Sequence, residues 1–209
     1  MRSHLSGYDG AVQPKYLKAL SREDLSQWLI HLSHGSWENG MWSDPKAAMM
    51  NIVREGRIRA SQREEIRKYE PIGAACLYDV PPPAWPKLVE TNPNGRRGYG
   101  LIVYKRAFWH LGGRPAIYDH DPGRPAWPED QRFRLIRTNL TRQPEPVDWT
   151  HEREWRFRGD LNLNVILGAE YGCWWLPCVE RDAECAEVFA AFPVHTIYSM
   201  ETGRTISRT

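Results

Sequence analysis

Apolar positions along the 209-residue chain come in short runs separated by polar, Gly- and Pro-rich breaks, the spacing of a strand-rich protein. Ser21-Arg22-Glu23-Asp24 reads as a cap and acidic first turn, predicting a short helix or turn over 22–27. Trp28-Leu29-Ile30-His31-Leu32-Ser33 predicts a strand that His34-Gly35-Ser36 ends. A helix is expected over 44–56, where Asp44 can cap, Pro45 takes the first helical position and Gly56 follows the last turn. Its inward stripe would be Ala48 and Ile52 with Met49 and Val53. Ile58-Arg59-Ala60 is a short extended piece, and the highly charged residues 62–69 are a solvated helix or loop. Further strands are expected over 74–80, 99–104, 114–119, 153–158, 174–180 and 195–200. A helix is expected over 182–191, helical turns over 85–90 and between 104 and 114, a turn at Asn92-Pro93-Asn94-Gly95 and a Pro-rich loop over 120–131.

Many short strands with few helices indicate an α+β fold, since the helices are too few for a doubly wound parallel sheet. There is no internal repeat, so the expectation is an N-terminal arm over 1–20 and one domain over 21–209. With 41% hydrophobic and 26% charged residues the composition is globular, and no apolar run approaches the ~20 residues of a membrane span. The opening MRSHLSGYDG has no apolar signal-peptide core, so the expectation is cytoplasmic, with no membrane partner. A net charge of +2 excludes a global field toward nucleic acid, but 22 Arg against six Lys favours planar, bidentate contact with phosphate or carboxylate. Ten Trp suit stacking as well as packing. Cys76, Cys173, Cys178 and Cys185 form no CxxC pair, so they are read as reduced thiols and not as a zinc ribbon.

Three constellations can carry chemistry. At the first strand's end, Gly35 permits close backbone approach while His34 and Ser36 offer donors and acceptors, enough to hold a carboxamide or a ribose; the same three residues also make an ordinary turn. In Asp148 to Arg158, strand alternation puts Glu152, Glu154, Arg156 and Arg158 on one face and Arg153, Trp155 and Phe157 on the other. Two carboxylates beside two guanidinium groups make either a polar site for acid–base work or an exposed salt-bridge ladder. Residues 132–142, RFRLIRTNLTR, bring Arg132, Arg134, Arg137 and Arg142 with no acid: a nucleic-acid contact, or a solvated basic strand. The Arg and Lys of 57–68 are diluted by Glu64 and Glu65. No Walker loop, GxGxxG, GxSxG or HExxH occurs, and nothing local supports a thiol dyad of Cys76 with His34.

In order along the chain, these pieces resemble the ADP-ribosyltransferase superfamily. Leu32-Ser33-His34-Gly35-Ser36 followed by Ile52-Val53-Arg54-Glu55-Gly56-Arg57-Ile58-Arg59-Ala60 is similar to the His-Gly-Ser and I-L-x-x-G-L-R-I-A run of its poly-ADP-ribose polymerase branch, and Glu152-Arg153-Glu154 to the Glu-x-Glu of a late strand. The arrangement also resembles DarT-type DNA ADP-ribosyltransferase toxins. A closer likeness, over 28–205, is to bacterial abortive-infection proteins of the AbiGi type, carried by Cys76-Leu77-Tyr78-Asp79-Val80-Pro81, Tyr99-Gly100-Leu101, Gly112-Gly113-Arg114-Pro115-Ala116-Ile117-Tyr118 and Trp149-Thr150-His151-Glu152-Arg153-Glu154-Trp155-Arg156. Asp79 stands where the look-alikes often carry Glu.

The resemblance implies a split, mixed or antiparallel sheet with a few flanking helices, and transfer of ADP-ribose from NAD to a macromolecule in a toxin or phage-defence setting. NAD is then a co-substrate and no metal is expected. Glu154 would stabilise the oxocarbenium-like charge and Glu152 would orient the acceptor. His34, Gly35 and Ser36 would grip the nicotinamide end, Tyr78 or Tyr104 would stack on it, and Arg57 or Arg59 would hold the pyrophosphate. The acceptor expected is a nucleic-acid base, with a protein side chain as the alternative and a cognate antitoxin as a possible partner. The rival readings are a non-catalytic nucleotide- or partner-binding module, and a metal-dependent phosphodiesterase for which no Asp/Glu/His cluster is visible in the sequence.

Overall fold

The computed structural model describes residues 26–34, 37–38, 41–42, 44–90, 97–120 and 127–208. Residues 1–20, most of the turn expected at 22–27, Gly35, Ser36 and the turn at 92–95 lie outside them.

The fold is mixed α+β, built on one eight-stranded sheet. Its strands are β1 (Trp28–Leu32), β5 (Ala74–Tyr78), β6 (Gly100–Tyr104), β7 (Arg114–Pro115), β10 (Glu154–Arg158), β12 (Trp175–Val179), β13 (Thr196–Ser199) and β14 (Arg204–Ser207). They lie in the order β14-β13-β12-β6-β1-β5-β10-β7, with every neighbouring pair antiparallel except β12 and β13. That one parallel pair needs a crossover, supplied by a 3-10 turn and a helix at 182–191, the single βαβ unit in an otherwise antiparallel sheet. Among the described residues there are also three two-stranded ribbons: β2 (Trp37–Glu38) with β3 (Met41–Trp42), β4 (Arg57–Ile58) with β11 (Leu161–Asn162), and β8 (Ile117–Asp119) with β9 (Leu135–Arg137).

Helix α1 (Pro45–Glu55) forms as its termini dictate: Asp44 accepts the Lys46 N–H at 2.9 Å, and Gly56 closes the helix at φ 64°. A Cβ on Gly56 would lie 2.0 Å from the Asn164 amide, so another residue there would have to displace that side chain as well as adopt a left-handed backbone angle. Its inward stripe centres on Met49, which is fully buried, while Ala48 and Ile52 are half-buried against a cleft. The remaining helices are α2 (Glu64–Arg67), α3 (Trp85–Glu90), α4 (Lys105–His110) and α5 (Cys185–Ala191).

Sheet alternation sorts the core. Leu29, Leu77, Leu101 and Val103 pack with Phe108 of α4 and Ile52 of α1 on one face. Ile30, Leu32, Tyr78 and Ile102 pack with Trp85 and Leu88 of α3 on the other. β1 and β6 match over five residue pairs, as do β5 and β10, yet β1 and β5 match only at Ile30 and Tyr78. The sheet therefore parts between two well-paired halves.

Two expectations change. The strand expected over 114–119 is two strands, β7 in the main sheet and β8 in a ribbon, and the basic strand expected over 132–142 is a 3-10 helix (Glu129–Arg134) followed by the short β9. Pro128 opens that helix, and burial of Phe133, Leu135 and Ile136 holds the segment against the fold.

Gly100 lies where β6 meets β1, and a Cβ there would sit 1.9 Å from the His31 carbonyl oxygen. Gly100→Ala is expected to cost about 1–3 kcal/mol, the range for forced overpacking, and to lower the midpoint in urea unfolding without changing the far-ultraviolet spectrum of the folded state.

Candidate functional site

The parted strands open onto a cleft of about 1080 Å³. One side is α1 and the segment after it, contributing Asn51, Glu55, Arg57, Arg59 and Arg63. The floor is the end of β1 with Cys76 and Tyr78 of β5, and the far side is β9, the excursion 138–152 and the first residues of β10.

Glu154 is the first residue of β10 and lies directly across from Tyr78. Opposed residues of an antiparallel pair have Cβ atoms ~4.5–5.5 Å apart, so this register alone sets the carboxylate beside the tyrosine. Glu154 and Arg156 share a face and are both nearly buried, at 7% and 6% exposure. Arg156 Nε donates to Glu154 Oε1 at 2.9 Å and Nη2 to Oε2 at 3.5 Å. Its Nη1 donates to the carbonyl of Leu135 at 2.7 Å and, more weakly, of Phe133 at 3.4 Å. The Glu154 N–H donates to Tyr118 Oη at 2.8 Å, and burial pushes the Tyr118 phenol up to about 12.

Glu152 does not share the strand. Residues Thr150–Glu152 form a 3-10 turn and Arg153 adopts φ 46°, the only non-glycine residue with positive φ among those described. The expected period-2 face is thus interrupted, yet the turn still delivers Glu152 to the cleft that Glu154 also lines. A brace holds the turn. The Asp79 N–H donates to the Arg153 carbonyl at 3.1 Å, and the Asp79 carboxylate takes Lys105 Nζ at 2.7 Å and Trp155 Nε1 at 3.3 Å and lies 3.8 Å from Arg153 Nη2. Burial lowers the Lys105 ammonium below the usual lysine range, against the pull of Asp79.

Of the other expected residues, His34 and Tyr78 line the cleft; Tyr78 is 6% exposed and forms part of its floor. Tyr104 does not reach it. Its ring packs 5.3 Å from Trp28 and 6.2 Å from Tyr171, because β6 lies on the far side of β1. Arg57 and Arg59 do line the cleft, but Glu55 engages both, Arg59 through two bonds at 2.7 and 2.9 Å. Arg132 and Arg134 face elsewhere: Arg132 Nε donates to the Trp127 carbonyl at 3.3 Å and Arg134 Nε to the Pro115 carbonyl at 2.9 Å, so they tie loops together. Arg137 and Arg142 line the cleft.

Sequence reasoning missed four residues here. His31 is the one polar side chain in the otherwise apolar strand β1, a signal of its own; its Nδ1 bonds the Cys76 carbonyl at 2.9 Å where the two strands part. Cys76 sits beside Glu154, and burial, reinforced by that carboxylate, pushes its thiol well up, so it is no activated nucleophile. Arg63 comes from a stretch that looked self-neutralised, and Trp149 stands at the rim, 45% exposed. Arg63, Arg137 and Arg142 make no ion pair among the described residues. Nor, among those residues, do three or more His, Cys, Asp or Glu group in a way that could hold a metal ion. No helix among them is long and apolar enough to cross a membrane.

No protein-family model matches the chain, and no curated protein or solved structure does either.

Two outcomes follow from the brace and from Tyr118. Asp79→Asn leaves the Lys105 charge without its carboxylate and is expected to cost about 3–5 kcal/mol in urea unfolding. Because the folded Tyr118 phenol titrates above its unfolded value of ~10, its contribution is complete below that pH and is lost as pH rises toward 12. The stability difference between wild type and Tyr118→Phe is expected to hold constant up to about pH 10 and to shrink above it.

Proposed function

We propose that the protein is an NAD-dependent mono-ADP-ribosyltransferase that modifies a macromolecule. The observation that carries this reading is the register that sets Glu154 opposite Tyr78 at the parting of the sheet, with Glu152 and His34 on the same cleft. A mixed sheet that opens between two paired halves supports the ADP-ribosyltransferase-like split sheet. The cleft, at about 1080 Å³, lies just above the ~300–1,000 Å³ range of small-molecule sites, which leaves space for a dinucleotide and part of an acceptor. Arg63, with no carboxylate partner among the described residues, suits one face of a pyrophosphate better than Arg57 or Arg59, which would first have to leave Glu55.

In the proposed reaction the C–N bond between nicotinamide and ribose C1′ breaks, and its electron pair leaves with the nicotinamide nitrogen. Positive charge grows on C1′ and its ring oxygen, and the Glu154 carboxylate stabilises it. A lone pair on the acceptor forms the new bond to C1′, and Glu152 takes the acceptor's proton. Arg156 holds Glu154 in one rotamer, so the charge is oriented before substrate arrives. Tyr78, on the cleft floor, is the aromatic surface for the nicotinamide ring.

The same Glu154–Arg156 ion pair favours a second reading, a nucleotide-binding module without catalysis, because it satisfies the carboxylate within the protein. Nicotinamide release from NAD separates the two readings. Under the transferase reading, Glu154→Gln keeps an acceptor oxygen for Arg156 Nε and a folded far-ultraviolet spectrum, but loses ~10²–10³ in rate. Glu152→Gln keeps nicotinamide release and loses transfer of labelled ADP-ribose. An unchanged rate in folded Glu154→Gln overturns the assignment.

A further inference from the structure

Resting on the transferase reading for the word acceptor, we infer that the rim formed by Arg137, Arg142 and Trp149 is a binding site for single-stranded nucleic acid, and that it delivers an unpaired base to Glu152. Three observations converge on one edge of the cleft. The first is charge. Three of the cleft's other arginines are occupied, Arg57 and Arg59 by Glu55 and Arg156 by Glu154, while Arg63, on the α1 side, is the one assigned to the pyrophosphate in the proposed function. Arg137 and Arg142 are exposed, line the cleft and have no carboxylate partner among the described residues. Guanidinium groups left without internal anions at a cavity edge suit external ones, and phosphate is the anion their planar fork matches.

The second observation is an aromatic face. Trp149 is a large side chain held at the rim at 45% exposure, with the His151 ring 6.5 Å away and inclined by only 31°. The turn that projects it is built locally: Asp148 Oδ1 accepts both the Thr150 N–H at 2.9 Å and its hydroxyl at 2.6 Å. These same bonds hold the Asp148 carboxyl below the usual range and satisfy the one carboxylate next to Trp149 in sequence. Cations and an exposed indole lining one cleft are the combination that binds unpaired strands, phosphates on the arginines and bases stacked on the ring.

The third observation is depth. Glu154 lines the cleft but is only 7% exposed, and Glu152 belongs to the turn that follows Trp149 and lines the same cleft. A base inside a duplex cannot enter such a recess without leaving its stack, whereas a base on a single strand can. Two residues of the basic run, Arg132 and Arg134, take no part, since both are spent on backbone carbonyls away from the cleft.

The test is direct binding without NAD. Fluorescence anisotropy would follow fluorescein-labelled single-stranded DNA and RNA of about 15 nucleotides, and the matching duplex, over a salt series. Wild type is expected to bind a single strand and to prefer it to the duplex. Trp149→Ala is expected to weaken that binding by about 5- to 100-fold. Arg137→Ala and Arg142→Ala are each expected to reduce the salt slope by about one charge contact, while Arg132→Ala leaves it unchanged. Glu154→Gln is expected to bind like wild type. If single strands bind as described but no ADP-ribose is ever transferred, the binding site stands and the transferase reading fails. If the oligonucleotides do not bind, or bind equally to the Trp149 and Arg142 variants, the inference is overturned. Transfer of label to a protein acceptor by a chain that binds no oligonucleotide would overturn it too and leave the transferase reading intact.

Discussion

The guanidinium group of Arg156 is the constraint on which the rest of the cleft depends. It is nearly buried on β10, one strand in from the edge of the sheet, and a buried cation is tolerated only when paired and hydrogen-bonded. Glu154 supplies the charge and accepts from Nε and Nη2, and the carbonyls of Leu135 and Phe133 accept from Nη1. One group thereby fixes two things at once: the rotamer of the carboxylate that faces the cleft, and the position of the segment that forms its far wall. The wall's own ribbon, β8 with β9, joins the main sheet through no strand pairing, so this clamp, the bonds of Tyr118 and Ala116 to the Glu154 backbone and the burial of Phe133, Leu135 and Ile136 seat it.

The sheet around this clamp is continuous in topology but not in pairing. β1 belongs to one half through its five pairs with β6, and β5 to the other through its five pairs with β10. Where they part, the His31 ring meets the Cys76 carbonyl, a side chain standing in for a ladder bond that the diverging strands do not make. An opening produced in this way is lined by strand ends from both halves, which is why residues far apart in sequence meet there. Asp79, one residue beyond β5, performs a comparable service for the next loop by holding Arg153 in its left-handed turn.

The electrostatics of the cleft divide into neutralised and open parts. Glu55 engages Arg57 and Arg59 on the α1 side, and Glu154 engages Arg156 at the back. Arg63, Arg137 and Arg142 are left without such partners among the described residues. In the proposed function this division has a consequence: the anionic parts of the two substrates meet cations that make no ion pair within the fold, and the reacting carbon meets Glu154, a carboxylate held in place by Arg156. Pairing of this kind keeps the site's own charges from collapsing onto one another before a ligand enters.

Much of the local structure was legible in the sequence because local physics decides it. Helix α1 follows from Asp44, Pro45 and Gly56, whose capping and left-handed preferences act within a few residues. Strands β1, β5, β6, β12 and β13 follow from apolar runs bounded by turn residues, and β10, with Glu154 and Arg156 on one face, follows from the two-residue alternation of charged and aromatic side chains. Strand order, the single-pair contact of β1 with β5 and the cleft they open depend on long-range pairing, which no local pattern encodes. Tertiary structure alone took Tyr104 out of the cleft, turned Arg132 and Arg134 onto backbone carbonyls and broke the strand before Glu154, because a side chain's neighbours across a sheet come from distant parts of the chain. It alone brought in Arg63, Trp149 and His31 as well. The sequence by itself determined which residues are chemically able to act. Packing decided which of them keep a free face toward the cleft, since a guanidinium or a ring that has found its partner inside the fold has none to offer a ligand.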